Sequence, residues 1–177
     1  MSRPSYDIDG AYYHSLIGTL RWIVELGRVD ICLEVSMLSS HLALPREGHL
    51  DQALHIFAYL DKHHNAEMVF DPTPWEIPEK AFTKQDWDYL IYGCKKLKEE
   101  LPEDMPRPLG ERMRINVYVD ADHAGDQITR RSRIGFIVFL NNAPIYWFSK
   151  KQTCCETSTY GSEFIAMKQA CEYVLGL

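Results

Sequence analysis

The hydrophobic positions of this chain change their period once, between residues 60 and 115. Over the first 60 residues they recur every three or four places: Leu16, Leu20, Ile23 and Val24, then Ile31, Val35, Leu38 and Leu42. After a break at Pro45 come Leu50, Leu54, Phe57 and Leu60. Residues so spaced share one face of a helix, so residues 1–70 are predicted to hold three amphipathic helices, the second capped by Asp30. Short links between them make a compact all-α unit whose stripes are its core. From Glu111 the period falls to two, with Ile115, Val117 and Val119 alternating with polar or Tyr neighbours. Gly135–Leu140 and Ala143–Phe148 are β-rich, and Asn141-Asn142 is a turn signal between them. After a polar loop, Ser158 or Thr159 can cap a helix carrying Phe164, Met167, Cys171 and Val174. Residues 111–177 therefore read as strand, hairpin and helix, and the whole chain as α+β.

The middle stretch, 71–110, matches neither pattern. Six of the nine prolines (Pro72, Pro74, Pro78, Pro102, Pro106 and Pro108) lie at its two ends. Between them Thr83 and Asp86 can cap a short helix through Trp87, Leu90, Ile91 and Leu97, which predicts a proline-rich connector.

Charge modifies this picture locally. The chain carries −6 overall, an argument against nucleic acid as partner, but residues 107–151 hold 8 basic against 4 acidic side chains. Only a contact face must be positive for phosphate binding, and a solvated charged surface accounts for the same composition. The five cysteines (Cys32, Cys94, Cys154, Cys155 and Cys171) form no Cys-x-x-Cys pair, which predicts reduced thiols in an intracellular chain. No apolar run approaches the roughly 18 residues of a membrane span, so no membrane partner is expected.

The acids Asp120, Asp122 and Asp126 cluster after the first strand. As a calcium loop they fail, because Ala124 and Arg131 stand where ligands five and twelve belong. As a polymerase turn they fail because Ala121 separates the two acids. A two-metal phosphodiester site remains, with Asp120 at a strand end and Glu163 early in a helix packed on that strand. Spacing alone leaves this pair open to plainer explanations in turn chemistry and the helix dipole. His63-His64 and His49/His55 lack the companions of a zinc site. Arg130, Arg131, Arg133, Lys150 and Lys151 flank the hairpin, where they can contact phosphates or discourage strand pairing.

Four blocks carry a family resemblance. Tyr118-Val-Asp-Ala-Asp-His-Ala-Gly-Asp126, Arg130-Arg-Ser-Arg-Ile-Gly-Phe136, Pro144-Ile-Tyr-Trp-Phe-Ser-Lys-Lys-Gln152 and Ser162-Glu-Phe-Ile-Ala166 resemble, in order and spacing, the ribonuclease H region of copia-type LTR retrotransposon Pol polyproteins. Upstream, Tyr13-His-Ser-Leu-Ile-Gly-Thr-Leu-Arg-Trp22, Val29-Asp-Ile31, Val35-Ser-Met-Leu-Ser39 and the helix through Tyr59-Leu60 resemble the thumb and connection that follow the polymerase palm. The resemblance implies a helical thumb/connection segment (1–70), the connector (71–110), and the N-terminal part of an RNase H-like domain (111–177) with three antiparallel strands and the first helix.

The resemblance also implies Mg²⁺-dependent cleavage of the RNA strand of RNA–DNA hybrids, with Asp120 and Glu163 as metal-binding carboxylates. Partners would be nucleic acid and the remainder of the Pol polyprotein. The expected location is a cytoplasmic virus-like particle or the nucleus. The family's third catalytic Asp would fall beyond Leu177 and the palm before Met1. The chain thus reads as a fragment or degenerate copy with little or no hydrolase activity alone. A domesticated nucleic-acid-binding module and a pseudogene product are the alternatives.

Overall fold

The computed structural model describes residues 10–74, 76, 102–107, 109–110 and 113–177; the short helix expected around Thr83–Leu97 lies outside them. Helix α1 spans Gly10–Glu25, and a 3₁₀ turn at Val29–Ile31 leads into α2, Cys32–Ser39. Helix α3 is Glu47–Lys62, followed after the connector by β1 (Ile115–Asp122), β2 (Arg133–Leu140), β3 (Ala143–Lys151) and α4 (Thr159–Val174). The strands form one antiparallel sheet in the order β1-β2-β3. The expected α+β class is borne out, and the arrangement is compatible with a partial RNase H-like fold.

The helical core is Tyr13, Ile17, Leu20 and Val24 of α1, Ile31, Val35 and Leu38 around α2, and Ala53 and Ile56 of α3. The buried face of α1 is thus turned from the expected stripe, with Tyr13 and Ile17 fully inside and Leu16 and Ile23 half-buried. Tyr13 can be buried because its hydroxyl donates to the Leu38 carbonyl at 3.0 Å. Asp30 does not cap α2. Its carboxylate accepts from Arg28 at 3.0 and 2.8 Å and from the Tyr59 hydroxyl at 3.0 Å, tying the 3₁₀ turn to α3.

In the sheet, β2 is central and buries Ile134, Phe136 and Val138. Val138 pairs with Tyr146 and Phe139 with Pro144, so Ile145 is an extra residue in β3. A bulge belongs there because Pro144 has no N–H to give the ladder. Asn141, at φ +55°, makes the two-residue turn, and its side chain donates to the Pro72 carbonyl at 2.8 Å. Asn142 donates to the Thr73 carbonyl at 3.1 Å, so the segment after α3 is strapped across the hairpin tip.

Helix α4 packs on β1 and β2 through Ser162, Ala166 and Ala170, with Tyr173 stacked on Tyr146 at 3.9 Å. The expected stripe is not the packing face: Phe164 and Met167 are each 52% exposed and Cys171 is exposed as well. The sheet already presents Phe136, Tyr146 and Phe148 to α4, so only small side chains let the helix close on it. Ser158 caps α4 as expected, accepting from the Gly161 N–H at 3.1 Å.

Polar contacts join the helical unit to the sheet. Trp147 Nε1 donates to the Val24 carbonyl at 3.0 Å, the Ser36 hydroxyl to the Ser149 carbonyl at 2.7 Å, and Arg133 Nη1 to Ser36 Oγ at 2.6 Å.

At the α2–α3 corner His41 and His49 stack with ring centroids 4.0 Å apart, and His49 Nδ1 accepts from the Arg46 N–H at 3.2 Å. Burial, and then the nearby His41 and Arg46 charges, hold His49 below its ordinary value. Protonation would remove the lone pair that Arg46 uses. The contribution of this corner is therefore present above the ordinary histidine value of about 6.5 and lost as pH falls through the lowered folded value. Urea midpoints measured across this range should drop on the acid side, and His49→Gln, which keeps an acceptor but does not titrate, should flatten that slope.

Candidate functional site

Strand β1 sends alternate residues to opposite faces of the sheet. Val117, Val119 and Ala121 pack with α4, whereas Tyr118, Asp120 and Asp122 are exposed on the other face. There Asp120 and Asp122 line a groove of about 900 Å³ whose opposite wall includes Val29, Leu33 and Met37 of the helical unit. Asp120 lies opposite Gly135 in the register, where no side chain crowds it. Glu163, the fifth residue of α4, is half-buried and lines a second recess with Val117, Val119 and Phe164. The two expected metal carboxylates therefore lie near the same strand but line recesses on its two sides.

The third acid of the cluster is committed elsewhere. Asp126 Oδ2 takes the Lys151 ammonium at 2.7 Å, while Oδ1 accepts from the Thr129 and Ile128 N–H groups at 2.9 and 3.0 Å. The Lys151 bond, followed by these backbone donors, holds the Asp126 carboxyl far below the usual carboxylate range. Asp126 thus organises the 126–131 loop. Among the described residues no three His, Cys, Asp or Glu side chains converge as a metal cage.

The five expected phosphate contacts divide into two groups. Arg130, Arg131 and Lys150 are exposed. Lys151 is clamped to Asp126, and Arg133 is turned into the Ser36 contact, half-buried, where desolvation pushes its guanidinium down against the opposing pull of Asp126 and Asp122.

One feature of the site was not read from the sequence. The Ser132 hydroxyl accepts from the Ala124 N–H at 3.0 Å, and the Ser132 carbonyl accepts from the Gln152 N–H at 2.8 Å. The Gln152 side-chain amide donates to the Ser162 carbonyl at 2.9 Å, and Ser162 Oγ lies 3.3 Å from His123 Nδ1. Since His123 adjoins Ala124, these contacts close a circuit through the end of β1, the starts of β2 and α4, and the loop after β3. The Ser162 hydroxyl also donates to the Thr159 carbonyl at 2.8 Å. Ser132 and Ser162 are fully buried and Gln152 nearly so. All three stand in the motif blocks, and that placement was the available signal.

Relatives of this chain include transposon proteins. It is 27% identical over 139 residues to a protein named for transposon Ty5-1 of Saccharomyces cerevisiae, covering 78% of the chain and 33% of that protein. It is 28% identical over 156 residues to the retrovirus-related Pol polyprotein from transposon RE1 of Arabidopsis thaliana, covering 88% of the chain and 8% of the polyprotein. Over 60 residues it is 38% identical to the secreted RxLR effector protein 161 of Plasmopara viticola, covering 34% of the chain and 42% of the effector. The chain thus spans a third or less of the transposon relatives. No family model and no solved structure matches it. The likeness to retrotransposon Pol, read from the motif blocks, is borne out over most of the chain. No helix among the described residues is long and apolar enough to cross a membrane.

Proposed function

We propose that this chain is the junction between the reverse transcriptase thumb/connection and the ribonuclease H domain of a copia-type retrotransposon Pol. Its partners are an RNA–DNA hybrid and the rest of the polyprotein, in a virus-like particle or the nucleus. The observation that carries this reading is the succession β1-β2-β3-α4, with Asp120 near the end of β1 and Glu163 on the helix packed against that strand. The edge of β1 away from β2 has no partner among the described residues, and Phe164 and Met167 are open beside it. Further strands of a Pol polyprotein would find an edge and an apolar surface there.

The carboxylates present do not fit a two-Mg²⁺ centre by themselves. Asp120 and Glu163 face separate recesses and Asp126 is held by Lys151. Mg²⁺ in the complete family site would activate water and stabilise the leaving oxygen. What this chain contributes is binding. Arg130, Arg131 and Lys150 offer exposed cations to phosphates, while Lys151 and Arg133 fix the loop and the strand that present them.

Two measurements test this reading. The 177-residue chain should show little or no Mg²⁺-dependent cleavage of RNA in a hybrid; robust cleavage abolished by Asp120→Asn would sink the proposed inactivity. Hybrid affinity should fall with salt along a log–log slope of roughly −2 to −3, as three phosphate contacts require. Arg130→Glu with Arg131→Glu should weaken it, and no affinity at low salt would remove the nucleic-acid partner.

The likeness to a secreted effector supports a second reading, a non-catalytic binding module derived from such an element. In that case hybrid binding needs no Mg²⁺ and is indifferent to Asp120→Asn.

A further inference from the structure

Two thiols have no part in the proposed binding or hydrolysis. Cys154 and Cys155 are adjacent, free and exposed, whereas unpaired cysteine is among the residues most often buried. Each sulfur rests against an oxygen. Cys155 Sγ donates to the Arg130 carbonyl at 3.1 Å, and Arg130 holds the left-handed φ of +56° that closes the 126–131 turn. Cys154 Sγ lies 3.7 Å from Glu156 Oε1. The Glu156 carboxylate in turn sits over Gly161, so closely that a Cβ there would collide with it. One thiol therefore touches the arginine turn, and the other touches a residue seated on the first turn of α4.

We infer that Cys154 and Cys155 form a vicinal dithiol site for a soft, thiophilic ion of the trivalent arsenical class, and that filling the site releases the Arg130 turn. Thiolate sulfur selects soft ions over hard ones. The two residues are neighbours in an irregular loop, with Cα atoms about 3.8 Å apart. Once one sulfur is bound, the second bond is intramolecular, at a high effective concentration. With an organoarsenic(III) oxide the two S–H groups give up their protons, two As–S bonds form, and the oxide oxygen leaves as one water. Arsenic stays trivalent, so no oxidant or reductant takes part. The Cys155 proton is then gone and the Arg130 carbonyl loses its donor. The turn keeps its Arg130 N–H to Asp126 carbonyl bond at 2.7 Å and the Lys151 clamp, so it loosens without unfolding.

Phenylarsine oxide is the probe, followed by intact mass and by amide exchange of the full chain. One arsenical per chain should survive excess glutathione and be removed by dithiothreitol. It should vanish in Cys154→Ser and in Cys155→Ser and persist in Cys94→Ser and Cys171→Ser. Loading should speed exchange at Arg130 and Asp126, the hydrogen-bonded amides of the turn, by about tenfold or more, as loss of a local tether does. An adduct stripped by glutathione, or one that survives either loop substitution, overturns the site. Unchanged exchange in the loaded chain overturns the release of the turn. Neither measurement uses hybrid or Mg²⁺, so this inference and the proposed function fail separately.

Discussion

Tyr13→Ala should be the most destabilising single change in the helical unit, at about 3–5 kcal/mol, the range for deleting a buried aromatic ring. The side chain is fully buried in the core that α1, α2 and α3 share, with Ile17, Leu20, Val35, Leu38 and Ala53 in the same cluster, where little can collapse into the space left behind. Its hydroxyl contributes less than its ring. The Leu38 carbonyl that accepts it also accepts the His41 N–H at 3.0 Å, so Tyr13→Phe leaves no orphaned acceptor. That substitution should cost only about 0.5–1.5 kcal/mol, the net value of one hydrogen bond. Burial raises the Tyr13 phenol above its ordinary value, so the neutral donor persists at every pH where the fold is measured. Urea unfolding of the two variants separates the contributions. Equal losses in both would mean that the hydroxyl, and not the ring, holds α1 against α2.

The elements were legible in the sequence because each rests on a local rule. Period two over Ile115–Val119, the Asn141-Asn142 turn and the Ser158 cap all depend on near neighbours, and each is found. The choice of helix face was less legible. Hydropathy ranks Phe164 and Met167 above Ser162 and Ala166, but an aromatic sheet face leaves room only for the small pair. The burial of Tyr13 is hidden from the sequence for the same kind of reason, since it depends on a carbonyl 25 residues away. Asp30 looked like a cap, but Arg28 and Tyr59 compete for its carboxylate, and Tyr59 comes from a helix 29 residues on.

The candidate site was legible in residue identity and not in arrangement. Motif spacing put Asp120 on β1 and Glu163 on the helix packed against it, and both stand there. Strand alternation puts Asp120 on the face opposite Val117 and Val119, and only the packing of α4 on the valine face shows that Glu163 stands on the other side. The basic residues carried one label in the sequence, yet Lys151 and Arg133 answer to Asp126 and Ser36 while Arg130, Arg131 and Lys150 remain exposed. Charge says what a side chain can bind, and only the fold says what already holds it.

The polar circuit gives the last expectation, in which the smaller side chain matters more. Ser132→Ala should cost about 1–3 kcal/mol, because it strands a buried donor with no acceptor. That donor is the N–H of Ala124, itself at φ +53°, a conformation a non-glycine residue holds only when its surroundings enforce it. Gln152→Leu removes a longer polar group, yet the balance differs. The Gln152 Oε1 has no partner among the described residues, so the substitution deletes an unsatisfied buried acceptor together with the amide donor to Ser162. The Ser162 carbonyl lies within α4, where the helix ladder supplies it a second donor. Gln152→Leu should therefore stay within about 1 kcal/mol of the parent chain, since the one hydrogen bond it deletes leaves no buried group unsatisfied. Urea midpoints rank the pair, and amide exchange at Ala124 tells why: it should accelerate in Ser132→Ala and stay protected in Gln152→Leu. The reverse order would mean that the β1–α4 corner is held by the Gln152 link and not by the acceptor beneath Ala124.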